Sequence, residues 1–176
     1  VIPDRDKLRL LVKCGPFPSD PEGKHYLAVE ATINDIEVTT WDDLPVDMDA
    51  MKASSVCDGE FYLWNCSCGY PSCGGLREGI KVVHQNDVIR WKKSSPTGKG
   101  RDILEEFGEL VFDKAAYVRT VTEALKEMKR QAFLRRDQGI AVEFLLRREE
   151  EVFWRSEDQV DGAELKSGKN RVKKGR

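Results

Sequence analysis

Cys66, Cys68 and Cys73 fall inside the run Asn65-Cys66-Ser67-Cys68-Gly69-Tyr70-Pro71-Ser72-Cys73-Gly74-Gly75. Thiolates are soft donors, and a structural zinc ion needs four such donors converging at about 2.0–2.3 Å. Donors close in sequence converge only where the chain turns sharply. Gly69, Gly74 and Gly75 permit that turn, because glycine tolerates backbone angles other residues avoid. The fourth donor must come from outside the run. His84 is the first candidate, on a strand expected to return from the knuckle, and Cys57 is the second. Cys14 and His25, in the N-terminal part, are weaker candidates. The plainer reading makes these cysteines small core residues. Three thiols among glycines are poor core material, so the spacing favours zinc held by Cys66, Cys68, Cys73 and His84.

Catalysis would require more. A catalytic zinc keeps one position open for water beside an acid or base. Glu60 and Glu78 flank the knuckle, but three thiolates with His84 close the coordination sphere. A nucleophilic pair of Cys73 with His84 is chemically conceivable, yet nothing in the sequence activates one thiol over the others. Gly98-Lys99-Gly100 lacks the first glycine and the hydroxyl residue after lysine that a phosphate loop needs. The balance is against an enzyme.

The elements that must position these residues read as α+β. Lys7–Lys13 is a strand, and Gly15, Pro16, Pro18, Asp20, Pro21 and Gly23 predict a loop after it. Tyr26–Ile33 and Ile36–Trp41 predict a hairpin about Asn34-Asp35. Residues 42–60 are acidic and predict a surface loop with a short helical turn near Asp47–Ala53. Phe61–Trp64 enters the knuckle as a strand. Gly79–His84 and Val88–Lys92 form a second hairpin, residues 93–102 a loop, and Glu109–Phe112 a last strand. Asp113 is an N-cap for a helix over 113–136, with Tyr117, Val121, Ala124, Leu125 and Met128 on its apolar face. Ile140–Trp154 fits both periods, and its later residues favour a second helix. The expected architecture is therefore an antiparallel sheet of hairpins with a cysteine knuckle, packed by the amphipathic helix and a second helix. It divides into an α+β domain over 1–136, a helical extension over 137–155 and a disordered basic tail over 156–176.

Length and charge bound the functions. A chain of 176 residues, 40% hydrophobic and 34% charged, can build one good-sized core and no more. No apolar run approaches the ~20 residues that span a bilayer. Five cysteines with no visible secretion signal point to a reduced, cytoplasmic setting. The net charge of −2 hides an acidic stretch over 35–60 and a tail whose Lys166, Lys169, Arg171, Lys173, Lys174 and Arg176 face no acid. That tail, with Lys92, Lys93, Lys99, Arg101 and the basic end of the helix, makes nucleic acid a possible partner. The acidic stretch repels phosphate and argues against it.

The run from Phe61 to Gly75 resembles a pattern in small bacterial and phage proteins of unassigned activity. In these a strand leads into C-x-C-G-x-x-x-C-[AG]-G, then a V-x-H element, a tryptophan, and a helix introduced by F-D and a tyrosine. The matching residues here are Val82-Val83-His84, with one residue of freedom in the spacing, then Trp91, Phe112-Asp113 and Tyr117. The resemblance covers about residues 26–130. It implies the grouping of Cys66, Cys68, Cys73 and His84 and implies no reaction. The expected function is protein–protein interaction, in a bacterial or phage accessory or anti-defence factor. A nucleic-acid-binding module is second and a metal-dependent enzyme third. Phe144, Leu145, Leu146, Val152, Phe153 and Trp154 are more than one helix face can bury, which marks Phe144, Phe153 and Trp154 as the expected contact with a partner or a second copy.

Overall fold

The computed structural model describes residues 5–17, 20–40, 43–66, 70–93, 104–105 and 107–144. They lie in one compact unit, Val1–Leu146. Two helices and two four-stranded sheets make an α+β fold. The first sheet holds β1 (Leu8–Phe17), β2 (Asp20–Ile33) and β3 (Ile36–Thr39) in that order, with β8 (Val142–Phe144) also against β2. The second is the antiparallel meander β4 (Gly59–Phe61), β5 (Ile80–Gln85), β6 (Val88–Lys93) and β7 (Leu110–Asp113). Helix α1 (Met48–Ser54) precedes β4, and α2 (Lys114–Asp137) follows β7 directly.

Local chemistry explains the turns. Asn34 and Asp35 both take positive φ, 53° and 66°, as a two-residue hairpin turn between twisted strands requires. Asp113 caps α2 by accepting from the Ala116 amide at 2.8 Å. Gly139, at φ 73°, ends the helix: its amide bonds to the Arg136 carbonyl, and that of Ile140 to the Arg135 carbonyl.

Three expectations need correction. The predicted loop over 15–23 is mostly strand, since β1 continues to Phe17 and β2 begins at Asp20. The ladder runs unbroken to Pro16↔His25, and the register then shifts to Phe17↔Asp20. That shift takes Pro21 and Gly23 out of the ladder. The described part of the acidic stretch, residues 43–60, holds the expected helical turn as α1 but is not a solvated loop. Leu44, Val46, Met48 and Met51 are fully buried, while Asp43, Asp49 and Asp58 point outward. Asp47 caps α1 through the Ala50 amide and also accepts from Asn65 Nδ2 at 2.6 Å. Finally, the helix expected over Ile140–Trp154 does not form at Val142–Phe144. Those residues add a parallel strand against His25–Leu27. β3 pairs only with Ala31–Ile33, so this part of the β2 edge lacks a partner, and filling it outweighs helix propensity. This also moves residues past the expected boundary at 136 into the sheet.

Hydrogen bonding joins the two sheets on both sides. Asp6 bridges to Phe112 of β7 just before β1 begins. On the other side the Val46 amide reaches the Val29 carbonyl of β2, and Val46 bridges to Trp64 just after β4. The enclosed core is aromatic: Trp91 meets Phe112 at 4.7 Å, Tyr117 at 5.7 Å and Trp64 at 5.8 Å between ring centroids. Tyr117, Val121, Ala124, Met128 and Ala132 form the buried stripe of α2, at spacings of three and four.

Candidate functional site

The cysteine run leaves the core at Trp64 and Asn65 and returns through a 3-10 turn, Pro71–Gly74, closed by Gly75 at φ 79°. Its two ends come together. A Cβ added at Gly74 would lie 2.3 Å from Leu44 Cδ2, so a larger residue there would have to displace that side chain, and 3.8 Å from the Cys66 amide nitrogen, an ordinary contact distance. Cys66 is half-buried and Cys73 exposed on this loop, both as free thiols. Cys68 lies outside the described residues. Among the described residues no three His, Cys, Asp or Glu side chains gather as a metal set.

His84 sits elsewhere. β5 pairs Ile80 with Phe61 at the knuckle end and Val82 with Gly59 further on, so the strand runs from the knuckle end toward His84 and the Cys57 corner. From Ile80 the distance along the strand is about 13 Å at ~3.3 Å per residue. β5 is antiparallel to β4 and starts, rather than finishes, beside the knuckle end of β4. The imidazole Nε2 meets the Ser54 carbonyl at 2.9 Å, and a carbonyl only accepts, so this nitrogen carries a proton. The His84 amide donates to Asp58 Oδ1. Cys57 belongs to the same corner, its thiol 3.4 Å from the Ala53 carbonyl. The Ser54 hydroxyl meets the Tyr117 hydroxyl at 2.8 Å, and burial pushes the Tyr117 phenol well above its ordinary value. Glu60 accepts from the Gly79 amide, and Glu78 is exposed.

The expected contact residues are divided. Phe144 forms part of β8, and Phe153 and Trp154 lie outside the described residues. Of the cations expected to meet phosphate, Lys99, Arg101 and those of the tail lie outside the described residues, while Lys92 and Arg130 are held in ion pairs. Arg90 and Lys92 pair with Glu109, and Arg130 with Glu127, whose carboxyl is held down at about 2 by that arginine and by Gln131.

One surface was not anticipated. Among the described residues β1 pairs in a ladder only with β2, and its other edge faces a groove along α2. Leu8, Arg9, Leu10, Leu11 and Val12 line one wall, and Thr120, Glu123, Ala124 and Glu127 the other, around about 450 Å³. The hydrogen-bond pattern says which backbone groups point into it. The Asn34 amide donates to the Lys7 carbonyl, while the Asp6 amide turns the opposite way, to Val111. Alternation along the strand then aims the amides and carbonyls of Leu8, Leu10, Val12 and Cys14 outward. Pro16 falls on the same alternation, where a missing N–H costs no ladder bond. The sequence held part of this signal: Pro16 at an even position of a strand, and Glu123 and Glu127 one turn apart on one helix.

Comparisons with family models, curated proteins and solved structures returned no match for this chain.

Proposed function

We propose that this chain is a protein-interaction module, with a zinc–thiolate knuckle as a structural staple. The open edge of β1 carries the reading. An edge strand with unpaired backbone groups is a template for another chain, and many folds blunt or cover it. Here Arg9 and Lys13 give partial protection, but both are occupied, with Asp35 and Glu30. Leu11 stays 54% exposed beside the groove. A strand edge next to a helix is a recurring way to take up an extended segment, the main chain giving affinity and the side chains selectivity. Cys66, Cys68 and Cys73 are the proposed zinc ligands, with the fourth donor outside this run. A bacterial or phage accessory or anti-defence role and a cytoplasmic setting rest on the sequence alone.

The test is capture from a bacterial lysate on the immobilised chain, eluted at graded salt after nuclease treatment. The Leu10→Pro variant serves as control, because it deletes an outward N–H and leaves the β1–β2 ladder intact. A protein retained by the parent and lost by the variant supports the module. Retention of nucleic acid alone, eluting steeply with salt and indifferent to Leu10→Pro, would favour phosphate binding instead.

A further inference from the structure

Resting on that reading, we propose that the groove between β1 and α2 takes an extended peptide segment bearing one basic residue opposite Glu123. The segment adds as a strand to Leu8–Val12. β7 already occupies the same edge at Asp6, through the Asp6–Val111 backbone bond and the Asp6↔Phe112 bridge. After Asp113 the chain leaves that edge for α2, so among the described residues no strand continues the position of β7 from Leu8 onward. An added strand continues the sheet there and satisfies the outward groups of Leu8, Leu10 and Val12.

Side chains set the selectivity. Leu8, Leu10 and Ala124 offer an apolar wall and floor, which suits small β-branched residues. Glu127 keeps its charge through Arg130 and Gln131. Glu123, exposed on the same wall, has no hydrogen bond or ion pair among the described residues. A lysine or arginine in the incoming segment supplies the missing countercharge. A second copy of this chain fits poorly. Antiparallel pairing of two β1 edges about Leu10 sets Lys13 against Lys7, and about Leu11 sets it against Arg9, with like charges opposed.

The probe is a capped peptide of alternating valine and threonine with one central lysine, titrated into the full chain and followed by amide spectra and hydrogen exchange. A control peptide carries glutamate in place of lysine. The lysine peptide should slow exchange at Leu8, Leu10 and Val12. Leu10→Pro should weaken binding about tenfold or more, with circular dichroism unchanged. Glu123→Lys should reverse the preference between the two peptides. Equal binding of both peptides that still depends on Leu10 would overturn the basic-residue assignment and leave the module reading intact. Absence of binding, indifference to Leu10→Pro, or protection of Leu10 and Val12 in the isolated chain would overturn the strand-addition site itself. The last result would mean that the chain, or a second copy, already covers the edge.

Discussion

His84 and Cys73 show how residue chemistry and residue position part company. Both types suit zinc, but His84 is committed to the Ser54 carbonyl at the end of α1, while Cys73 sits on the loop that closes against Cys66. Zinc content should therefore separate them. Purified chain is expected to hold about one zinc, Cys73→Ser to lose it with a lowered melting temperature, and His84→Ala to keep it. Metal analysis beside thermal melts decides this, and loss of zinc in His84→Ala would restore the histidine as a ligand. Tyr117 makes a second residue-scale prediction. Burial raises its phenol above the ordinary 10.0, so the native state holds a proton that the unfolded state releases. The associated stability is complete below pH 10.0 and is lost as pH climbs from there toward the raised native value. Of the four tyrosines, Tyr117 should ionise last and together with loss of near-ultraviolet circular dichroism. Simple titration of all four without unfolding would contradict its burial.

At the scale of elements, ends were more decisive than interiors. α2 starts at Asp113 because a carboxylate there satisfies a first-turn amide, and it stops at Gly139 because a left-handed residue closes the last turn. A Cβ at Gly139 would meet nothing within 4 Å, so Gly139→Ala reports only the backbone cost. Denaturant unfolding should show a loss of about 1–2 kcal/mol. A neutral result would mean the helix end shifts to another residue. The strand β8 follows at once, with the His25 amide donating to the Ala141 carbonyl, so an error in the helix end would also displace β8.

For the molecule as a whole, one carboxylate ties the two sheets together. Asp6 Oδ2 accepts from the Val111 amide at 2.6 Å and Oδ1 from Asn34 Nδ2 at 2.8 Å, while its own amide donates to Val111. β7 and the β2–β3 turn thus meet on a residue that precedes every strand. Asp6→Ala leaves the partly buried Val111 amide without its second acceptor and frees Asn34 Nδ2 to solvent, and the expected cost is about 1–3 kcal/mol of global stability. Asp6→Asn keeps part of the acceptor geometry and should lose less. Chemical denaturation of the three proteins tests the order. Equal stability in all three would show that the Asp6 carboxylate adds nothing to the Val46 bridge, the Asp6 main-chain bond and the aromatic core. Among the described residues no helix is long and apolar enough to cross a membrane.

The sequence by itself determined what local chemistry controls: the Asn34-Asp35 turn, the Asp113 cap, the apolar stripe of α2 and the second hairpin. Each depends on residues a few positions apart, where spacing and side-chain type are sufficient. Tertiary structure decided what depends on distant neighbours. Leu44, Val46 and Met51 looked like parts of an acidic loop until β2 and Trp64 enclosed them, because burial depends on what lies opposite. Val142–Phe144 became a strand because β2 had a stretch of edge to offer. His84 falls at the Cys57 corner because strand direction is set by pairing, and a sequence pattern with period two is the same read either way. The edge of β1 that no described strand covers could not be read from β1 at all, since it depends on β7 giving way to a helix at Lys114, two residues past Phe112.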